Sequence, residues 1–337
     1  MTLALCLLGY SALVCVLGPP VLTRLTAHGS VPRLGVLAWL TAVAAVLVAW
    51  TAAAAALVVQ VAHTWNLPMA HLFDNCVVAM EAAAEGGHGP VAQAIALLSA
   101  LVVIGFVSAR GARVVRTVVR ARGTSARHAR SASIIGRRVT GTELPGAADM
   151  VIIDAPQKAA YCVAGRPGTV VVTSAAVAAL DRPQLAAVLA HEHAHLTGRH
   201  HLIRASTRAL ATTLPRVPLF TAADDRIAHL LEMCADDRAA GRHSRTTILT
   251  ALLTLSDVSD EDEDHSDGPR AVPDIALGTS TLAVADRVDR LLGTESRLRR
   301  AGRGLPLAIV AAVLATVPAS GYVLVQLGMA GCLPFIY

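Results

Sequence analysis

Aromatic residues and charge are both scarce in this chain of 337 residues. Phe, Tyr and Trp make up 3% of it and Asp, Glu, Lys and Arg 16%, against 54% hydrophobic residues. A soluble domain carries about 25% charged residues, so a single soluble globule is excluded and a membrane protein with a soluble insert is expected. Lysine is nearly missing: Lys158 is the only one, and arginine carries almost all of the positive charge behind the net +5. Those arginines cluster beside apolar segments, which fits retention inside a bilayer better than a nucleic-acid partner. The six cysteines form no dense framework, and none has zinc-finger spacing. No phosphate-binding Gly-rich loop and no internal repeat occurs. No Lys or Arg precedes Arg24. The apolar N-terminus therefore lacks the basic start of a cleaved signal peptide and reads as a retained span.

What is present is long apolar runs. Four are expected to span a membrane, at about 2–22, 34–62, 91–110 and 305–327, the last with Pro318 as a kink. The loop from His63 to Gly89 carries Asp74, Glu81 and Glu85 and no Lys or Arg, whereas Arg110, Arg113, Arg116, Arg120, Arg122, Arg127 and Arg130 follow the third run. Basic segments stay inside. The expected layout is three spans in residues 1–110, a cytosolic domain in 111–303, and a fourth span with a short tail in 304–337. Both termini are then outside. Cys76 and Cys332 fall on the same oxidising side and are candidates for a disulfide. The spans lack the charged residues a translocation path needs, which speaks against a transporter.

The insert opens with an Arg/Ser-rich linker, from about Gly111 to Arg138, into which the helical pattern of the third span extends. Val151 to Ile153 reads as a strand. Ala160–Ala164 and Thr169–Thr173 read as strands of a hairpin joined by Gly165-Arg166-Pro167-Gly168. Helical patterns follow at 175–180, 185–196, 223–240, 248–256 and 283–292. The apolar Leu202–Leu219 stretch, broken by Pro215 and Pro218, is expected to touch the membrane surface. Residues 256–269 are an acidic, non-periodic run that reads as a disordered loop.

The helix over 185–196 carries His191-Glu192-His193-Ala194-His195. Asp181 is placed to cap it with Gln184 as capping-box partner, and Gly198 to stop it. Four residues apart, His191 and His195 leave one face and can reach a single Zn²⁺. Glu192 is placed to take a proton from water on that ion. The plain alternative is a group of solvated histidines, and His193, His200 and His201 crowd the same region. Leu231-Glu232-Met233-Cys234-Ala235-Asp236 supplies what a zinc centre still needs. Glu232 is the candidate third ligand, and Asp236, one turn on, can accept the other N–H of a ligand histidine. Tyr161 and His243 are candidate oxyanion donors. The edge of the Thr169–Thr173 strand is the candidate platform for an extended peptide.

The run from Ala160 to His200, a hairpin and then an Asp-capped Ala-Val-Leu-Ala-His-Glu helix, resembles the gluzincin membrane peptidases. These include the HtpX and CAAX-prenyl-protease group and the BlaR/MecR-type antirepressor peptidases, whose second motif the Glu232–Asp236 spacing also resembles. Three spans, a zinc domain and a fourth span look most like the BlaR/MecR type, without the penicillin-binding sensor domain that type carries. The resemblance implies a mostly α multi-pass protein of the bacterial cell membrane with a cytosolic α+β zinc-peptidase domain. It also implies one Zn²⁺ per chain and hydrolysis of a cytosolic or membrane-adjacent protein, such as a DNA-binding repressor. Membrane protein quality control and a non-catalytic zinc scaffold are the alternatives.

Overall fold

Runs of Leu, Val and Ala without charge satisfy their backbone groups internally as helix, and the first two pack together as a hairpin. The computed structural model describes residues 2–64, 90–139, 150–165, 168–256, 281–293 and 297–326. Helix α1 covers Thr2–Thr26 and α2 covers Pro32–Thr64. Among the described residues, Cys6–Thr26 and Pro32–Ala56 are long and apolar enough to cross a membrane. The turn between them has Gly29 at φ +56°, where any Cβ would also collide with Met233.

Helix α3 runs unbroken over Pro90–Ile135. The Arg/Ser-rich stretch read as a linker is therefore helix almost to its end. No proline lies inside it after Pro90 at its start, and the helix carries through Gly105, Gly111 and Gly123 to Ile135. The last helix, α10, covers Arg297–Gln326 with Pro306 and Pro318 inside it. The acidic run 257–269 lies outside the described residues, as do Cys76 and Cys332.

Between α3 and α10 sits a four-stranded sheet. Its strands are β1 (Arg137–Val139), β2 (Met150–Ile153), β3 (Ala160–Val163) and β4 (Thr169–Thr173), in the order β1-β2-β4-β3. The expected hairpin forms as an antiparallel β3–β4 pair, while β4 also pairs in parallel with β2. This overturns the expectation that Thr169–Thr173 offers a free edge. Its Val170-Val171-Val172 run is buried on both faces, as an interior strand requires, and among the described residues the sheet's edge strands are β1 and β3.

One face of the sheet packs on α4 (Ser174–Ala179) and α5 (Arg182–Thr197) through Val170, Val172, Leu185, Val188 and Leu189. The other packs on the end of α3 through Ala129, Ala132, Tyr161 and Val171. Helices α6 (His200–Thr213), α7 (Pro218–Ala240), α8 (Arg245–Ser256) and α9 (Thr281–Leu292) complete the described elements. Pro215 and Pro218 divide the apolar 202–219 stretch, so α6 ends before them and α7 starts with Pro218 in its first turn. The apolar side chains of this stretch are used within the protein. Ile203, Leu210, Leu219 and Phe220 join one core with Leu22, Trp39, Val43 and Val46 of the N-terminal hairpin.

Candidate metal centre

Local sequence places α5 firmly. Asp181 Oδ1 accepts the Gln184 N–H at 2.8 Å while Gln184 Oε1 accepts the Asp181 N–H at 3.0 Å, a complete capping box. Leu185, Val188 and Leu189 then pin one face of the helix to the sheet. The face they leave carries His191 and His195, whose Nε2 atoms are 3.1 Å apart.

Helix α7 delivers the carboxylate. Glu232 Oε2 is 3.4 Å from His191 Nε2, and Glu232 Oε1 is 3.6 Å from His195 Nε2. A tetrahedral ion with ligands at about 2.0–2.1 Å holds its ligand atoms about 3.3 Å from one another. The two imidazole nitrogens, and the Glu232 oxygen nearest each of them, lie close to that spacing; with one atom from each residue, all three fall within 4.8 Å of one another, and a two-imidazole, one-carboxylate set suits zinc. Among the described residues these three form the one group of His, Cys, Asp and Glu able to hold a metal ion.

Each histidine is also held from behind. His191 Nδ1 lies 3.0 Å from Asp236 Oδ1, so an Nδ1–H donated there leaves Nε2 free for an ion. His195 Nδ1 lies 2.9 Å from His200 Nδ1. Two contacts that the sequence reading missed complete the site. His200 is one, and the other is Arg287 of α9, which donates from Nε to Asp236 Oδ2 at 2.8 Å and from Nη2 to Oδ1 at 2.7 Å.

These contacts set the electrostatics. Burial works to push the carboxyl of Glu232 up, but hydrogen bonds from His191 and His195 outweigh it and hold the group well below the usual carboxylate range. Burial also raises Glu192, and there the opposing charges of His191 and His195 do not bring it back. Two carboxylates in one site are thus driven apart, one kept ionised and the other made more basic. Burial would lower His191, yet hydrogen bonds to Asp236 and Glu232 take it up to about 10. His200 falls to about 4, through burial first and the charge of His195 second.

The other expected site residues lie elsewhere. Tyr161 sits on the α3 face of β3, its hydroxyl 3.1 Å from His128 Nε2, so it does not line the centre. Alternation along the strand turns its neighbour Cys162 towards Glu192 instead, and burial followed by the Glu192 and Glu232 charges raises that thiol. His243 lies in the turn after α7, where its N–H caps Ala239 O at 2.9 Å. Cys234 is buried against the hairpin core, away from the metal face of α7, and burial pushes its thiol up to about 11.

Residues 125–254 match the model of Peptidase family M48. The matched segment runs from the end of α3 through the sheet and α5 to α8, and so contains His191, Glu192, His195 and Glu232. It indicates a metalloprotease of the M48 type. No curated protein and no solved structure matches the chain.

Proposed function

We propose that this chain is an integral membrane zinc endopeptidase that cuts a cytosolic or membrane-adjacent protein. The observation that carries the reading is the convergence of one ligand atom each from His191, His195 and Glu232 to within 4.8 Å of one another, beside a Glu192 that burial makes more basic. When bound, Zn²⁺ supplies Lewis acidity for the scissile carbonyl and for water. Glu192 accepts the proton of the attacking water and hands it to the leaving amine. Asp236 and His200 keep the two imidazoles facing the ion. The free edge of β3 holds the substrate as an added strand.

Four spans, a cytosolic peptidase domain and outside termini follow from the charge asymmetry of the connecting segments, the BlaR/MecR-like arrangement in which the target is a transcriptional repressor. A membrane-impermeant maleimide, applied to intact cells carrying Cys76→Ser and Cys332→Ser, should label Glu85→Cys and leave Thr117→Cys unlabelled. The reverse pattern would overturn the orientation. The chemistry is tested with Glu192→Gln. One Zn²⁺ per chain should be retained while cleavage of denatured casein falls by about 10²–10⁴-fold, the usual share of a general base. Unchanged cleavage in that variant would sink the proposal. Zinc binding with no cleavage by the wild type would point to a scaffold.

A further inference from the structure

Helix α9 lies beyond the residues that match the peptidase family, yet it reaches the centre. Arg287 is 5% exposed and holds Asp236, itself 1% exposed, through two hydrogen bonds. Its third nitrogen, Nη1, is 3.7 Å from Glu232 Oε2. We propose that Arg287 is a positioning residue of the metal centre, acting through Asp236 on His191, and that Arg290 keys α9 in the register that delivers it. The inference rests on the metal-ligand reading of His191, His195 and Glu232.

A carboxylate as buried as Asp236 is unstable without partners. The planar fork of a guanidinium gives it two, and by doing so fixes the carboxylate plane. With that plane fixed, Oδ1 keeps a lone pair aimed at His191 Nδ1, 3.0 Å away. The imidazole can then present only its Nε2 to the site. A lysine offers a point charge and no plane, so it could neutralise Asp236 without orienting it.

Arg290 lies one turn further along α9. Its Nη2 reaches both oxygens of Asp237 at 2.7 Å, and its Nε donates to the carbonyl of Gly29 at 2.9 Å. Asp286, beside Arg287, lies 3.2 Å from His229 Nε2. Helix α9 is thus tied to α7 through Arg287 and Arg290 and to the α1–α2 turn once. A slip by one residue would turn Arg287 away from Asp236.

The test uses the full-length chain in detergent. Zn²⁺ affinity is read by competition with a chromophoric chelator, ligand geometry from the visible spectrum of the Co²⁺-substituted protein, and folding from the melting temperature. R287Q should bind Zn²⁺ about 10–100-fold more weakly, the usual loss when a partner behind a metal ligand is removed. R287K should fall between R287Q and wild type, and the Co²⁺ spectrum of both should change. R290Q should lose less, and R238Q, on the exposed face of α7, nothing. Should R287Q fail to fold, R287K carries the test with the same expected direction. Wild-type Zn²⁺ affinity in R287Q or R287K overturns the proposal, even with a lowered melting temperature, because the ion pair would then merely hold two helices together. A wild-type chain that takes up no Zn²⁺ overturns the metal reading itself, which is a different result.

Discussion

Three donor atoms converge on Asp236: His191 Nδ1 and two nitrogens of Arg287. Burial alone would raise its carboxyl, but the hydrogen bonds from His191 and Arg287, with the Arg287 charge, hold it well below the usual carboxylate range. A carboxylate depressed in the folded state stabilises the fold above its ordinary pKa, and that stability drains away as pH falls towards the folded value. Asp236→Asn should therefore cost about 3–5 kcal/mol at pH 7, because the buried Arg287 loses its bidentate carboxylate partner. The deficit should shrink below pH ~4, where an unfolded aspartate is protonated and the wild type is losing the same contribution. Melting temperatures of the two proteins at pH 7 and pH 3.5 measure it, and a gap that widens on acidification would contradict the argument. At this scale the reading from sequence was uneven for physical reasons. His191 and His195 were legible because helical period alone puts them on one face, and the same holds for Glu232 and Asp236. His200 was not, because the chain passes through a left-handed Arg199, φ 51°, after Gly198. Periodicity ends there, and nothing in the pattern says that the next helix returns an imidazole to His195. Arg287 lies 51 residues beyond Asp236, across an acidic stretch, on a helix whose pattern is that of any charged amphipathic helix.

The β3–β4 hairpin shows how an element can be read correctly and given the wrong edge. Its alternation and the Gly-Arg-Pro-Gly connection were enough for the hairpin, since both are local. Which strand of the hairpin stays at the edge depends on β2, which reaches β4 by a parallel pairing that no local pattern encodes. The Val170–Val172 run held the available hint, because three consecutive apolar β-branched residues suit a strand buried on both faces. The register also fixes which backbone groups of β3 are free. Thr173 donates to Ala159 O at 3.0 Å, so the 159–173 pair is hydrogen-bonded. Antiparallel pairs alternate, which makes Tyr161–Val171 the next bonded pair and turns the N–H and C=O of Ala160 and Cys162 away from β4. Ala160→Pro removes one outward N–H and no ladder bond, a change that edge strands tolerate. If substrate adds to this edge, KM should rise by about three- to tenfold, the worth of one net hydrogen bond, with kcat and zinc content little changed. An unaltered KM would remove β3 as the substrate platform.

Across the whole molecule, the N-terminal hairpin and the metal centre share one structural member. Helix α7 carries Glu232 and Asp236 on one side, and on the other buries Leu219, Phe220, Ile227 and Leu230 against Leu22, Trp39, Val43 and Val46. The α1–α2 turn adds polar ties from three helices. Arg226 of α7 donates to Thr26 O at 3.1 Å, Arg290 of α9 to Gly29 O at 2.9 Å, and Arg303 of α10 to Ser30 Oγ at 2.8 Å. Cations at the C-terminal end of α1 also complement its dipole. Sequence alone yields spans and a soluble insert, because apolar runs and a zinc motif are recognised separately and their mutual packing leaves no local trace. In the structure the hairpin is part of the core that positions Glu232. A chain beginning at residue 65 would expose Leu219, Phe220, Ile227 and Leu230, each worth about 1.5–3 kcal/mol when buried. Together these exceed a large part of a typical domain's net stability of about 5–15 kcal/mol. The truncated protein should therefore fail to give a monodisperse, zinc-binding species, by size-exclusion chromatography and metal analysis. Co-expressing residues 1–64 as a separate chain should restore zinc uptake in part, because the lost contacts are between surfaces and need no covalent link. A truncated chain that is monomeric, soluble and loaded with one zinc would show that the hairpin is only an anchor.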